Sequence, residues 1–149
     1  MKPNRNIIKG LADAVISQID AIERSMKKYP EIYSRHAPEI CGRDFRTIRI
    51  GLPRRFGNST LLIKIFNQLR KKTEDIAIVT HNTEMAKSLK ERIKKKAKIC
   101  SGHCNSRDLR LYSEKYILID DAPYVQQTDN IINNHGNNST IFILTGAGI

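Results

Sequence analysis

Between residues 5 and 29, apolar side chains recur at Ile8, Leu11, Val15, Ile19, Ile22 and Met26, in steps of three or four. That spacing holds them in one stripe of a long helix. Pro30 is expected to end it, because proline has no amide to donate and clashes with the preceding turn. Two uses suit the stripe: packing on the parent domain, or self-association with a second copy or a protein partner. Fewer than four heptads are present, which favours the first. With Pro30, Pro38 and Gly42 close together, the segment up to residue 43 reads as a connector with room for one short helical turn.

Beyond residue 43 the pattern changes to short apolar runs separated by helical stretches, the sequence form of a parallel sheet with crossover helices. Strands are expected at 47–51, 75–80, 115–120 and 140–145, with a short edge strand at 98–100. A helix over 59–72 places Leu61, Leu62, Ile65, Phe66 and Leu69 on one face. A second, over 84–96, turns Met85, Leu89 and Ile93 inward, and a third is expected over 125–134 before the Asn-rich turn at 135–138. The expectation is an α/β, three-layer sandwich with a mostly parallel sheet of four or five strands, preceded by a long helix. Residues 1–43 would form the helix and connector and residues 44–149 the core of a single domain.

Composition narrows the class. The 149 residues include 40% hydrophobic and 28% charged positions, a globular balance, but no Trp, five Tyr and four Phe, so aliphatic side chains must build the core. No apolar run approaches the roughly 20 residues of a spanning helix, and no signal-type segment opens the chain, so a cytoplasmic location without membrane contact is expected, host cytoplasm for a viral protein. Twenty-six Lys and Arg against 15 Asp and Glu give a net charge of +11, which raises the case for a polyanionic partner such as nucleic acid or a nucleotide phosphate. Three cysteines, an odd number, argue for reduced thiols rather than a disulfide framework.

The segment Gly51-Leu52-Pro53-Arg54-Arg55-Phe56-Gly57-Asn58-Ser59-Thr60 lies between the first expected strand and the first core helix, where a glycine-rich loop can bend its amides around a phosphate. Set against the P-loop pattern, Gly57 takes the second glycine, Ser59 the hydroxyl that ligates Mg²⁺, and Asn58 stands where Lys is required. The first glycine position falls on Leu52, one residue past Gly51. Sixty residues on, Tyr116-Ile117-Leu118-Ile119-Asp120-Asp121 is an apolar strand ending in two carboxylates, the Walker B form, whose first acid holds Mg²⁺ and whose second orients water. A later apolar strand ends in Thr145-Gly146-Ala147-Gly148, where a polar sensor would sit. The spacing suits an additional-strand P-loop ATPase, with three strand ends converging on one phosphate at the carboxyl edge of the sheet.

On these residues the chain resembles phage terminase large subunits and related superfamily-two helicase motors. The arginine-rich loop Arg54-Arg55-Phe56-Gly57-Asn58-Ser59 looks like theirs, Asp120-Asp121 stands in place of their Asp-Glu, and Thr145-Gly146 resembles their third motif. The resemblance covers residues 47–148, about two thirds of the chain. It implies catalytic roles for Asp121, Arg54 and Arg55, nucleotide contacts from Gly51, Pro53, Gly57, Asn58, Ser59, Thr60 and Thr145, and Mg²⁺ held by Ser59 and Asp120, with ATP or another purine nucleotide as ligand. It departs from the family in lacking an adenine-reading Gln before the loop, in Asn58 for Lys and in the shorter Asp121 for Glu. The neutral Asn58 removes part of the electrostatic stabilisation on which phosphoryl transfer depends.

Lys87, Lys90, Arg92, Lys94, Lys95, Lys96 and Lys98 form the densest basic run, read either as a solvated helix face or as a contact surface for a nucleic-acid backbone. Cys100, His103 and Cys104 offer three zinc-capable side chains, with Cys41 or His36 as a conceivable fourth. Without paired Cys-x-x-Cys knuckles, reduced loop cysteines are the better reading. The function expected from these features is that of a degenerate P-loop nucleotide-binding protein, at most a weak ATPase, acting on or near nucleic acid in a phage or mobile-element setting. The alternative is a nucleic-acid- or protein-binding module that kept the fold and lost hydrolysis.

Overall fold

The computed structural model describes residues 5–37, 40–41, 45–52, 58–80, 83–93, 97–101, 114–121, 131–133 and 139–146. Helix α1, Arg5–Lys28, is followed directly by α2, Pro30–Arg35, with Pro30 in its first turn. Proline therefore ends one helix and opens the next, since its missing amide is no loss at a helix start. The core follows as β1 (Thr47–Leu52), α3 (Asn58–Arg70), β2 (Ile76–Thr80), α4 (Thr83–Arg92), β3 (Lys98–Ser101), β4 (Tyr116–Asp121) and β5 (Thr140–Gly146). Residues 131–133 are helical. The basic helix expected to reach residue 96 stops at Arg92, so Lys98 belongs to a strand; Lys94, Lys95 and Lys96 lie outside the described residues.

All five strands are parallel, in the order β1-β5-β4-β2-β3. Side-chain alternation divides the core in two. Ile48, Leu52, Ile76, Ile78, Ile99, Tyr116, Leu118, Phe142 and Leu144 share one cluster with α1, α3 and α4. Val79, Cys100, Ile117, Ile119, Ile141 and Ile143 pack with Ile131 and Ile132. The steps from β1 to β2 and from β2 to β3 run one way across the sheet under helices on the first face. The step from β4 to β5 runs back with its helical residues on the second, so all three crossovers share one hand, as parallel units require.

The stripe of α1 is buried within the chain. Ile8, Ala12, Val15 and Ile19 are its innermost residues, with Leu11 and Ile22 on the flanks, and α1 packs along α3. Of the two uses open to the stripe, the observed one is packing on the core; Ala12 takes a central place because a small side chain lets the helices approach. No helix among the described residues is long and apolar enough to cross a membrane.

A polar cluster fastens α1 and the connector to the amino edge of the sheet. The Tyr116 hydroxyl donates to Glu23 of α1, Lys115 lies 3.9 Å from the same carboxylate, and buried Arg46 donates to Thr140 Oγ1 at 3.3 Å. Burial pulls the Arg46 guanidinium below its ordinary pKa, countered by nearby Cys41, Tyr33, Glu23 and Tyr116. Burial pushes the Cys41 thiol up, keeping it protonated; its Sγ donates to the Tyr33 carbonyl at 3.1 Å. The Tyr116 phenol is raised above its usual 10.0 by burial, by its hydrogen bond to Glu23, and by the charges of Glu23 and Asp20.

A phenol more basic in the folded chain contributes stability that is complete below about pH 10 and is lost as pH rises toward the folded value, at a limiting slope of about 1.4 kcal/mol per pH unit. Denaturant melts from pH 9 to 11 should therefore fall more steeply for the natural sequence than for Tyr116→Phe. Parallel curves would mean that Tyr116 ionises freely in the fold.

Candidate functional site

In a parallel sheet, all strands end at the same edge, and here that edge carries the ends of the strands that bear Gly51, Asp120-Asp121 and Thr145. The register runs Asp121 to Thr145 to Gly51 across β4, β5 and β1, one row of the ladder. The row behind it runs Asp120 to Leu144 to Ile50. The Asp120 side chain continues the face of Tyr116 and Leu118, the face that α3 covers. It is 2% exposed, so the carboxylate lies under surrounding structure rather than in the open cleft that Walker-type spacing suggests.

Helix α3 begins at Asn58, six residues after β1 ends, and its polypeptide runs back to the amino edge, where β2 starts. Its first turn, with half-buried Ser59 and Thr60, therefore belongs to the carboxyl edge, on the same side of the sheet as Asp120. Asn58, Ser59 and Thr60 are polar ahead of the apolar run from Leu61, so helix formation starts at the change in pattern, and the first amides of a helix are free to bind an anion. Pro53, Arg54, Arg55, Phe56 and Gly57 lie outside the described residues.

Connections leave the neighbouring strands β4 and β2 toward opposite faces: α4 follows β2 on the α3 side, and helical residues 131–133 follow β4 on the other. In open α/β sheets such divergence is the place where ligands bind, at the carboxyl ends of the strands. Thr80, at the end of β2, is a buried polar side chain at the same edge as Asp120. Sequence reading passed over Thr80, since a threonine ending an apolar strand gives no signal until the strand order is known.

The donor set suits a hard divalent cation, which takes oxygen ligands and keeps several waters. Ser59 supplies a hydroxyl and Asp120 a carboxylate, both on the α3 face of one edge.

The basic run is not a single face. Lys87, Lys90 and Arg92 are exposed on α4, but at about 100° per residue Arg92 stands roughly 140–160° from the two lysines. Exposed Glu84 and Glu91 lie opposite buried Ala86 and Leu89, on the most outward line of the helix. Lys98 is at the amino edge, 3.2 Å from Glu114, lining a cavity of about 370 Å³ with Glu74 and Asp75. Nearby, Lys72 bonds Asp20 at 2.6 Å and Arg70 bonds Glu74 at 3.1 Å.

Cys41 and Cys100 are not brought together. Cys41 donates to the carbonyls of Tyr33 and His36 and lies near Arg46, the residue before β1, whereas Cys100 is buried in β3, the opposite edge strand; β1 and β3 are roughly 19 Å apart at four strand spacings. Cys41 is therefore excluded as a fourth ligand beside Cys100. Among the described residues no three His, Cys, Asp or Glu side chains form a metal-holding group; His103 and Cys104 lie outside them.

The chain matches no protein-family model and no curated protein.

Proposed function

We propose that the protein is a degenerate P-loop nucleotide-binding protein that takes Mg²⁺ with ATP or another purine nucleotide at the carboxyl edge of its sheet, with at most weak ATPase activity. The observation that carries this reading is the single row Gly51, Thr145, Asp121, with buried Asp120 behind it on the face where α3 begins. Support also comes from the strand order, with β5 interposed between the loop-bearing β1 and the acidic β4, where the extra strand of an additional-strand ATPase would stand. The three-layer P-loop-like architecture belongs to the same proposal.

In this reading the amides opening α3 meet the phosphates, Ser59 and Asp120 hold Mg²⁺, and Gly51, Pro53, Gly57, Thr60 and Thr145 complete the pocket. Bound Mg²⁺ would neutralise phosphate charge. Asp121 orients the attacking water, and Arg54 or Arg55 supplies the positive charge that Asn58 lacks.

The test is thermal unfolding with ATP or GTP, with and without Mg²⁺. A ligand that binds only the folded state must stabilise it, by about 2.7 kcal/mol at a hundred times its dissociation constant. A Mg²⁺-dependent rise in melting temperature is expected. No rise up to millimolar nucleotide would overturn the reading in favour of a binding module.

A role on or near nucleic acid in a phage or mobile element rests on the +11 charge and the resemblance. The division of basic groups described above favours a diffuse electrostatic contact over a helix face dedicated to the backbone.

A further inference from the structure

We infer that Thr80 is the positioning residue for Asp120: its hydroxyl donates to the carboxylate and fixes the oxygen that faces the metal. The inference rests on the nucleotide reading and adds a residue from β2, a strand outside the three that carry the motifs.

Four observations support it. Strands β2 and β4 are parallel neighbours whose register pairs Val79 with Ile119, so Thr80 and Asp120 are the next residues along each strand. Neighbouring strands are about 4.8 Å apart, which brings a threonine hydroxyl within reach of an aspartate carboxylate beside it. Both side chains lie on the α3 face, since Thr80 continues Ile76 and Ile78 as Asp120 continues Tyr116 and Leu118. Both are buried, at 0% and 2% exposure.

The chemistry explains the residue type. Thr80 ends a strand whose other members, Ile76, Ala77, Ile78 and Val79, are all buried and apolar. Valine would keep that shape, so only the hydroxyl distinguishes threonine from the obvious alternative. A buried carboxylate needs donors, and a charge-assisted O–H···O⁻ bond is short, strong and directional. Held by one oxygen, the carboxylate presents the other in a fixed direction, whereas an unrestrained carboxylate must be ordered each time the cation binds.

The experiment measures ATP affinity by calorimetry in the presence of Mg²⁺ and of EDTA, for the natural sequence, Thr80→Val, Thr80→Ser and Asp120→Asn. Thr80→Val should weaken Mg²⁺-dependent affinity about tenfold, equivalent to about 1.4 kcal/mol, and leave the Mg²⁺-free affinity unchanged. Thr80→Ser should restore binding to within about twofold of the natural sequence. A general packing defect would lower both affinities together and would not follow the hydroxyl. Should valine prevent folding, Thr80→Ala carries the same comparison against Thr80→Ser.

If Thr80→Val keeps the full Mg²⁺ effect while Asp120→Asn loses it, the role of Thr80 is overturned and the nucleotide reading stands. If the natural sequence binds ATP with no Mg²⁺ effect, the metal site and the role of Thr80 are overturned while nucleotide binding stands; if it does not bind ATP, the nucleotide reading fails and the role of Thr80 fails with it.

Discussion

Asn58→Lys is expected to raise single-turnover ATP hydrolysis about tenfold, and Asp121→Asn to lower whatever hydrolysis the natural sequence has. Asn58 is the first residue of α3, at the carboxyl edge that also carries Asp120, Asp121 and Thr145. A lysine introduced there adds a point charge where negative charge develops on the γ-phosphate. A tenfold gain asks for only about 1.4 kcal/mol of added transition-state stabilisation. Asp121→Asn keeps size and removes the carboxylate that would orient water, so its loss should appear in the chemical step and leave nucleotide affinity nearly unchanged. Rapid-quench measurements with excess enzyme check both. A rate unaffected by Asn58→Lys, with nucleotide bound as before, would mean that the introduced ammonium does not reach the phosphate.

Phe66→Ala is expected to destabilise the fold by about 3–5 kcal/mol, the range for removing a buried aromatic ring from a core. Phe66 is fully buried on α3, in the cluster that joins α1, α3, α4 and one face of the sheet. Its loss opens a cavity bordered by elements that cannot all move inward, because α3 is held between α1 and the strands. For a chain of this size each kcal/mol corresponds to roughly 2–4 °C, so the melting temperature should fall by roughly 6–20 °C. A fall of less than about 3 °C would show that neighbouring side chains refill the space. Since α3 also opens at the candidate site, nucleotide should partly rescue the variant if it binds there.

Local patterns carried much of the architecture. The three-or-four spacing in α1, the face of Leu61, Leu62, Ile65, Phe66 and Leu69, and the four long apolar runs all became elements close to their expected limits. Even the brief run at 98–100 is a strand, at the edge of the sheet. Long-range properties were less legible. Arg46 reads in sequence as one more surface cation, yet it is buried, because its environment comes from α1 and β5, far away along the chain. Charge clustering is legible only in part for a similar reason: of seven basic residues close in sequence, Lys98 belongs to a strand and pairs with Glu114, and Lys94, Lys95 and Lys96 lie outside the described residues. For the candidate site, motif spacing identified the strand ends that share the carboxyl edge. Neither the burial of Asp120 nor Thr80 beside it can be read from spacing, since both depend on which strand is whose neighbour.

The place of β5 also bears on how the protein is made. The last of the described strands occupies an interior position, its Ile141 paired with Thr47 on one side and Ile117 on the other. Until residues 140–146 leave the ribosome, the strand that joins β1 to β4 is missing, and the edges it would cover are able to recruit other chains. Closing the sheet then requires contacts spanning more than ninety residues, a slow event of high contact order. A nascent chain stalled before Thr140 would thus be an aggregation-prone client for chaperones, however complete its helices.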